Sequence, residues 1–398
     1  MAFFRNTTVN LLNLHYAIHS IALGGGGAFY IVYLLKAGVS VPGVLGALAA
    51  ILLGRFAMRP IVVPLGIRLG MRALVIVGTI LSALQYPLVA EVHGIGPALL
   101  ALVLVSAFAD SIYWSSYHAY FAALGDREHR GQQIGVREAI ASIIGIVAPI
   151  LGGGLLVTFG PRVAFGFTAV VLMFAALPIL FTPDIQVQRV APGAYKAALP
   201  GMLLFMSDGW ICAGYYFVWQ IALFLSLGEN FLAYGGALAI AAVAGAAGGM
   251  LLGRHIDMGN GGRAVLLAFS GLLFAVALRA AALGYPALAV LANAIGSLEA
   301  CLYVPTMMTA VYNLAKQSPC TLRFHVMTEG GWDIGGASGC VVTAILAAAG
   351  APLSIGILTS LAGAAMGFFL LRRYYAEHPT VTVEPASAEL ALAQPPPV

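Results

Sequence analysis

The sequence predicts an all-α integral membrane protein of twelve transmembrane helices, arranged as two six-helix halves that are weak repeats of each other. The first observation is composition: of 398 residues, 61% are hydrophobic and 9% are charged, whereas soluble domains carry about 25% charged residues. The second is the length of the apolar runs, and the third is one long polar connection near mid-chain. This much apolar surface requires a bilayer to cover it.

Twelve apolar segments follow one another along the chain. Most are about twenty residues or longer, the length at which a helix crosses roughly 30 Å of hydrocarbon. They are continuous rather than alternating, which disfavours the strands of an outer-membrane barrel. The segments lie at 9–35, 42–66, 73–92, 96–121, 132–159, 162–181, 198–227, 231–252, 264–284, 286–313, 325–349 and 352–373.

The connection 182–193 is the longest polar one between spans, so it divides the chain. The predicted domains are an N-terminal half at 1–181, a cytoplasmic linker at 182–197 and a C-terminal half at 198–375. The tail at 376–398 is rich in Pro, Ala and Glu, and it is predicted to be a disordered cytoplasmic segment.

The positions of Arg and Lys predict the orientation. Fourteen of them fall at the termini and in the turns that follow even-numbered spans, and the opposite turns hold only Lys36 and Arg162. Because positive charge collects on the cytoplasmic side, both termini are expected to be cytoplasmic. Sixteen Arg against three Lys, with abundant Ala and Gly, indicate a bacterium of high GC content and hence the inner (plasma) membrane.

Acidic residues recur between the halves. A shift of 191 residues places Glu138 on Glu329, and a shift of 189 places Asp110 on Glu299. Many secondary transporters are built from such repeats, with the substrate site between them.

The turn at 249–263 carries glycines, Arg254, the acidic Asp257 and a closing arginine. In this pattern it resembles the signature loop that follows the second span of each half in the major facilitator superfamily. The first-half copy at 64–72 has Gly70 where the acid is expected. The resemblance implies a transporter that works by alternating access to a midplane site.

Two further turns, 126–132 and 160–165, resemble that family's links between spans four and five and between spans five and six. The resemblance extends over about 9–373. Span five has a proline and paired glycines at 149–153, similar to the motif of the family's proton-coupled exporters, with Ala148 in place of a glycine. Gly and Pro are also frequent in membrane helices in general.

Arg55 and Arg59 are two cations inside span two. They are four residues apart and so leave one face of the helix. An arginine at the bilayer centre costs roughly 2.5–3.5 kcal/mol on insertion scales, so both require a polar interior. Asp110, near the centre of span four, is the expected partner of one of them, either as a protonatable switch or as half of a permanent ion pair.

Three counterparts are open for the second arginine. It could pair with an acid of the other half, bind an anionic substrate through its planar guanidinium, or snorkel to a wet vestibule. The acids concerned are Asp208, Glu299, Glu329 and Asp333.

Aromatic residues at helical spacing predict the walls of a substrate cavity. Trp219 lies near the end of span seven, where an interfacial anchor is the alternative. The predicted lining residues are Tyr113, Trp114, Tyr117, His118, Tyr215 and Trp219.

His15 and His19 are four residues apart in span one. Their role is either structural or that of proton or substrate contacts, with a metal site as the third alternative. No third metal ligand, CxxC pair or Walker pattern is evident, so no metal and no other cofactor is predicted. The predicted proton-coupling and substrate set is Arg55, Arg59, Asp110, Asp208, Glu299 and His19.

Charged residues near the cytoplasmic ends of the spans predict a gate of ion pairs. Disrupting them should shift the balance between conformations more than substrate contact. The predicted gate residues are Arg68, Arg72, Glu138, Arg254, Asp257, Glu329 and Asp333.

These patterns predict a proton-coupled secondary transporter of a small organic molecule, with export by antiport favoured over proton-coupled uptake of an organic or inorganic anion. The expected partners are the substrate, protons and the lipid bilayer, around a monomer; the net charge of +4 does not suggest nucleic acid. An enzyme is not predicted, because no nucleophile–base set is evident. A non-transporting sensor or a metal-binding membrane protein is the alternative of a different class.

Overall fold

The computed structural model describes residues 6–124, 130–256 and 261–378, with the backbone alone at 130–139 and 249–256. Eleven helices in these ranges are long and apolar enough to cross a membrane. The longest of them, Ile140–Ile179, contains Gly160 at φ 78°, which no helix interior tolerates, so it is two spans joined at a kink. The described chain therefore has twelve spans.

We number the spans α1 to α12 in chain order. Each of the twelve predicted segments overlaps one of them, so the predicted all-α membrane fold is confirmed; α7 begins inside the predicted linker. The bounds are α1 Thr7–Lys36, α2 Val41–Leu69, α3 Met71–Ala90, α4 Pro97–Leu124, α5 130–159, α6 161–179, α7 Ala194–Ser226, α8 Phe231–Ile256, α9 Gly261–Ala281, α10 Pro286–Gln317, α11 Thr321–Ala348 and α12 Leu353–Glu377.

The connection between α6 and α7, residues 180–193, defines one end of the bundle. The α2–α3 turn lies at the same end, because successive spans alternate in direction. We call this the linker end and the other the opposite end.

One span contains a π-helical turn that positions side chains for the site. In α7 the segment Ala213–Val218 is wound as a π-helix. Such turns insert one residue into an α-helix and re-aim the side chains around it, frequently at functional sites. Tyr216 and Phe217, which lie in this segment, both reach the cavity described below.

The two halves pack together mainly through α2 along α11 and α5 along α8. They also meet at the opposite end, where Lys36 Nζ lies 3.0 Å from Glu229 Oε2. Nearby, Phe29 of α1 packs edge-on against Phe231 and Tyr234 of α8. Contacts between the halves therefore occur at mid-bundle and at the opposite end.

Paired glycines in α5 let three helices approach closely. A Cβ at Gly152 would lie 2.7 Å from the carbonyl oxygen of Gly25 in α1, and one at Gly153 would lie 2.8 Å from that of Phe231 in α8. Small residues permit backbones to pack this closely in membranes. Gly154, the next residue, has no atom within 4 Å of its Cβ position.

Gly153→Ala should lower the apparent melting temperature of the detergent-solubilised protein, because α5 and α8 must move apart. Overpacking of this kind costs about 1–3 kcal/mol. Gly154→Ala is the matched control and should leave the melting temperature unchanged or raise it, since alanine is favoured over glycine in a helix by about 0.5–1 kcal/mol. Equal melting temperatures for the two variants would contradict a tight crossing at Gly153.

Candidate functional site

A cavity of about 250 Å³ lies between the halves, near the middle of the spans that surround it. We call it the central cavity. Both halves contribute to its wall, so any relative motion of the halves changes its shape. It is lined by His19, Leu23, Gly27, Tyr30, Ile31, Leu48, Ile51, Leu52, Arg55, Ser82, Gln85, Tyr86, Ser106, Asp110, Tyr113, Trp114, Leu172, Tyr216, Phe217, Gln220 and Trp332.

Four charged side chains join α2 to α11 on the linker-end side of the central cavity, and we call them the inter-half cluster. Arg55 Nη2 and Arg59 Nη2 each lie 3.4 Å from Glu329 Oε2. Arg55 Nε lies 2.9 Å from Asp333 Oδ1, and Arg59 Nε contacts the other carboxylate oxygen of Asp333. Arg59 Nη1 also donates to Ser115 Oγ at 2.6 Å.

The spacing on the two helices explains this cluster. Arg55 and Arg59 are four residues apart on α2, and Glu329 and Asp333 are four apart on α11, so each pair lies on one helix face. All four side chains are at most 8% exposed. Buried charges are tolerated when they are paired, and here two positive charges meet two negative ones.

Asp110 does not pair with either arginine, contrary to the prediction. It makes no salt bridge in the described part of the chain, and its hydrogen bond comes from Gln85 Nε2 of α3 at 3.0 Å. The physical reason is that α11 presents two acids in register with the two arginines, which leaves Asp110 on the α3 side of the cavity. Asp110 is therefore a carboxyl group in the cavity wall with a neutral partner.

Of the predicted lining residues, Tyr113 and Trp114 line the central cavity. Tyr117 does not, because its ring is buried in a stack with Tyr16 of α1, with ring centroids 5.7 Å apart. His118 lies instead beside the inter-half cluster, where its Nε2 is 4.0 Å from Glu329 Oε1.

The two predicted lining residues of α7 also lie outside the cavity wall. Trp219 donates its indole N–H to Asn293 Oδ1 at 3.0 Å and is 2% exposed, so it is a buried packing residue rather than an interfacial anchor. Tyr215 faces α9 and α10. Its hydroxyl donates to Glu299 Oε2 at 2.9 Å, and the Arg279 guanidinium lies 3.8 Å above its ring. Glu299 is thus placed in the interior of the C-terminal half.

Asp208, predicted as a coupling acid, is likewise held inside the C-terminal half. It accepts hydrogen bonds from Tyr303 Oη at 2.8 Å and from Trp332 Nε1 at 3.1 Å. Trp332 in turn lies 5.2 Å below the Arg55 guanidinium, at cation–π distance. This indole links Asp208 to the inter-half cluster.

The two histidines of α1 differ in exposure to the cavity. His19 lines it and stacks on Tyr113 with ring centroids 4.5 Å apart. His15 lies behind, with Nδ1 2.7 Å from the Ala175 carbonyl oxygen and Nε2 3.0 Å from Tyr113 Oη. Among the described residues, no group of three or more His, Cys, Asp or Glu is placed to hold a metal ion.

Two of the predicted gate residues, Glu329 and Asp333, belong to the inter-half cluster. Arg68 is exposed in the last turn of α2. Three others lie outside the residues whose side chains are described: Glu138, Arg254 and Asp257.

Arg72, also predicted as a gate residue, binds the linker. Its backbone N–H donates to Asp184 Oδ1 at 3.0 Å, and its Nη1 donates to the Thr182 carbonyl oxygen at 3.1 Å. Asp184 lies against Gly70, whose φ is 80°. The linker thereby brings a carboxylate to the position where the first-half signature loop has no acid.

Gln85, Ser115 and Trp332 belong to the site but are not among the residues predicted from the sequence. Each had a signal: Gln85 is an amide inside an apolar run, Ser115 follows the predicted lining residues, and Trp332 directly precedes Asp333. What the sequence could not supply was the side of the helix that each one faces in the packed bundle.

Comparison with known proteins agrees with this architecture. The sequence profile of the Major Facilitator Superfamily matches residues 14–321, and no curated protein sequence matches the chain. The crystal structure of the human organic anion transporter MFSD10 (TETRAN) has a TM-score of 0.66 at 17% identity, covering 92% of this chain and 99% of that one. That of an auto-inhibited POT family peptide transporter has a TM-score of 0.66 at 11% identity, covering 93% and 97%. The chain belongs to the major facilitator superfamily of membrane transporters.

Proposed function

We propose that the chain is a proton-coupled secondary transporter that exports a small organic molecule by antiport. The observation that carries the proposal is Asp110, a carboxyl group in the wall of a cavity shared by both halves, with neutral Gln85 as its hydrogen-bond partner. Ionisable residues inside a membrane are costly and mark substrate pathways and proton relays.

In this proposal the halves 1–181 and 198–375, joined by the linker 182–197, rock about the central cavity. The protein lies in a bacterial inner membrane with both termini cytoplasmic, since the Arg and Lys positions follow the positive-inside rule. The linker end is then the cytoplasmic end.

The inter-half cluster acts as the cytoplasmic gate. Opening that side requires α2 and α11 to separate, which removes Arg55 and Arg59 from the two acids of α11. The separated charges must find water or new partners, because an unpaired buried charge is strongly unfavourable. A gate of this kind favours two discrete states, closed and hydrated-open, over intermediate openings.

Protonation of Asp110 couples the proton gradient to this gate. Arg55 lines the same cavity as Asp110 and belongs to the cluster. A charge placed on or removed from Asp110 therefore changes the electrostatic potential at one member of the gate. Support for export comes from the resemblance of the segment 149–153 to the motif of proton-coupled exporters. Its glycines pack α5 against α1 and α8.

Proton-coupled uptake of an anion is the second candidate. Arg55 lines the central cavity, and one of the similar folds is that of a human organic anion transporter. Against it, the charge of Arg55 is already matched by Glu329 and Asp333, so an anion must displace one of these acids before it gains that arginine.

A ligand found by a thermal-shift screen of metabolites, organic anions and drugs should accumulate in proteoliposomes under an imposed pH gradient. A protonophore should abolish the accumulation. Asp110→Asn should reduce gradient-driven accumulation at least about tenfold, equivalent to roughly 1.4 kcal/mol, because the variant cannot exchange a proton at this position.

Ser106→Ala is the matched control, because Ser106 lines the same cavity one turn away on α4 and carries no charge. It should retain most of the accumulation. Accumulation that persists in the presence of the protonophore would contradict proton coupling, and an unchanged Asp110→Asn variant would contradict the role of Asp110.

Asp333→Asn should destabilise the solubilised protein by about 3–5 kcal/mol, because it leaves two buried arginines with one acid. The matched control is Glu91→Gln, which removes an acid from an exposed ion pair with Arg162 at 2.8 Å. The hydrogen bond from Arg162 lowers the pKa of Glu91, so this pair is intact at neutral pH and is lost only as pH falls through the lowered pKa.

Thermal unfolding at neutral pH measures both variants. The Glu91→Gln variant should unfold within a few degrees of the unmodified protein, since exposed pairs contribute little. If Asp333→Asn unfolds at the same temperature as Glu91→Gln, the inter-half cluster does not stabilise the described conformation.

A further inference from the structure

Not every acid inside the described spans has an arginine as its partner. The two positive and two negative charges of the inter-half cluster cancel. Glu299 has Arg279 beside it, stacked on the ring of the Tyr215 that donates a hydrogen bond to Glu299. Asp110 and Asp208 remain, each hydrogen-bonded by neutral donors. Of these two, it is Asp110 that lines the central cavity.

The repeat-related acid Glu299 provides an internal comparison. Glu299 accepts a hydrogen bond from the Tyr215 hydroxyl, and the guanidinium of Arg279 stacks on the Tyr215 ring. A cation of the protein itself therefore lies near Glu299. At Asp110 the corresponding neighbour is the amide of Gln85. In the C-terminal half, Arg279 thus supplies a cation beside Glu299. In the N-terminal half, the corresponding position beside Asp110 holds a neutral amide and adjoins the central cavity.

The rest of the cavity wall also favours a ligand that carries a positive charge. Seven of its twenty-one lining residues are Tyr, Trp or Phe, and aromatic faces attract ammonium groups while their bodies bind apolar surface. Its volume of about 250 Å³ is just below the roughly 300–1,000 Å³ of drug-sized pockets. A molecule with one ring or a short aliphatic body fits this space.

We propose that the substrate is a small organic monocation, an ammonium group on an aromatic or aliphatic body, that takes the place of the proton on Asp110. On binding, the Asp110 O–H bond breaks, the proton leaves to solvent, and the ammonium pairs with the carboxylate, so the charge of the site is unchanged. The inference rests on the proposed function, because it takes the central cavity as the transport site.

The groups around Asp110 are compatible with this exchange. Among the described residues, Arg55 and Arg59 are cations whose charges act on Asp110, and both are held by the acids of α11. An anion would gain no new ion pair from either arginine without displacing one of these acids. The described titratable and charged groups that act on Asp110 or share the cavity wall with it are Arg55, Arg59, Asp333, His19, Tyr30, Tyr86 and Tyr216.

Isothermal titration of the full-length purified protein with three probes of one shape tests the substrate class. Phenylbutylamine, phenylbutanol and phenylbutyrate share a body and differ in head-group charge. The amine should bind at least about tenfold more tightly than the other two. In buffers of different ionisation enthalpy, its binding should release up to about one proton per molecule bound.

Asp110→Asn should weaken amine binding at least about tenfold and abolish the proton release, while phenylbutanol binding stays unchanged and reports an intact cavity. Asp110→Glu should restore preference for the amine. The proposal is overturned if phenylbutyrate binds most tightly, if the amine and the alcohol bind equally, or if none of the three binds at millimolar concentration.

Failure of this inference is distinguishable from failure of proton coupling. If the amine binds more tightly than the other two probes but a protonophore does not change its accumulation, the substrate class is supported and proton coupling is contradicted. If an anionic or neutral ligand found in the thermal-shift screen accumulates under a pH gradient while the amine does not bind, proton coupling is supported and the cationic substrate class is contradicted.

Discussion

Two arginines on α2 and two acids on α11 form the contact on which the rest of the structure depends. All four are buried, and none could remain charged in the membrane interior without the others. Such a set adds little net stability over apolar residues of the same shape, yet removing one member is strongly destabilising. The cluster therefore sets the axial alignment of the two helices. The two arginines, four residues apart on α2, meet the two acids, four residues apart on α11, in one register only.

Because its charges cancel, the inter-half cluster determines the charge of the adjoining central cavity. Because α11 supplies both counter-charges, Arg55 enters the cavity wall without an excess positive charge, and Asp110 is left with a neutral amide. Trp332 extends the connection, since its ring lies under Arg55 and its indole N–H binds Asp208. The same interaction thus joins the halves and leaves Asp110 in the cavity wall without a salt bridge in the described part of the chain.

The fold could be predicted from the sequence because the hydropathy and the length of each apolar run are enough to identify a membrane span. The site could be predicted in part. Pairing of Asp110 with one of the two arginines is wrong, whereas pairing of an arginine with an acid of the other half, one of the alternatives open from the sequence, is what the structure shows. Glu329 and Asp333 repeat the four-residue spacing of the arginines, a signal that favours these two acids over Asp208 and Glu299 as the partners. The contact itself depends on how the halves pack. Likewise, the acid missing at Gly70 is supplied by Asp184, 114 positions away along the chain, which no local motif indicates.

Distance measurements between spin labels at residues 68 and 316, the exposed linker-end termini of α2 and α10, test most directly whether the inter-half cluster holds the halves together. The labels would be placed in a variant with its four cysteines replaced. With the cluster intact, a single short distance population is predicted. The double variant Arg59→Gln and Asp333→Asn keeps the net charge unchanged and should populate a second, longer distance. An unchanged distribution would contradict the account.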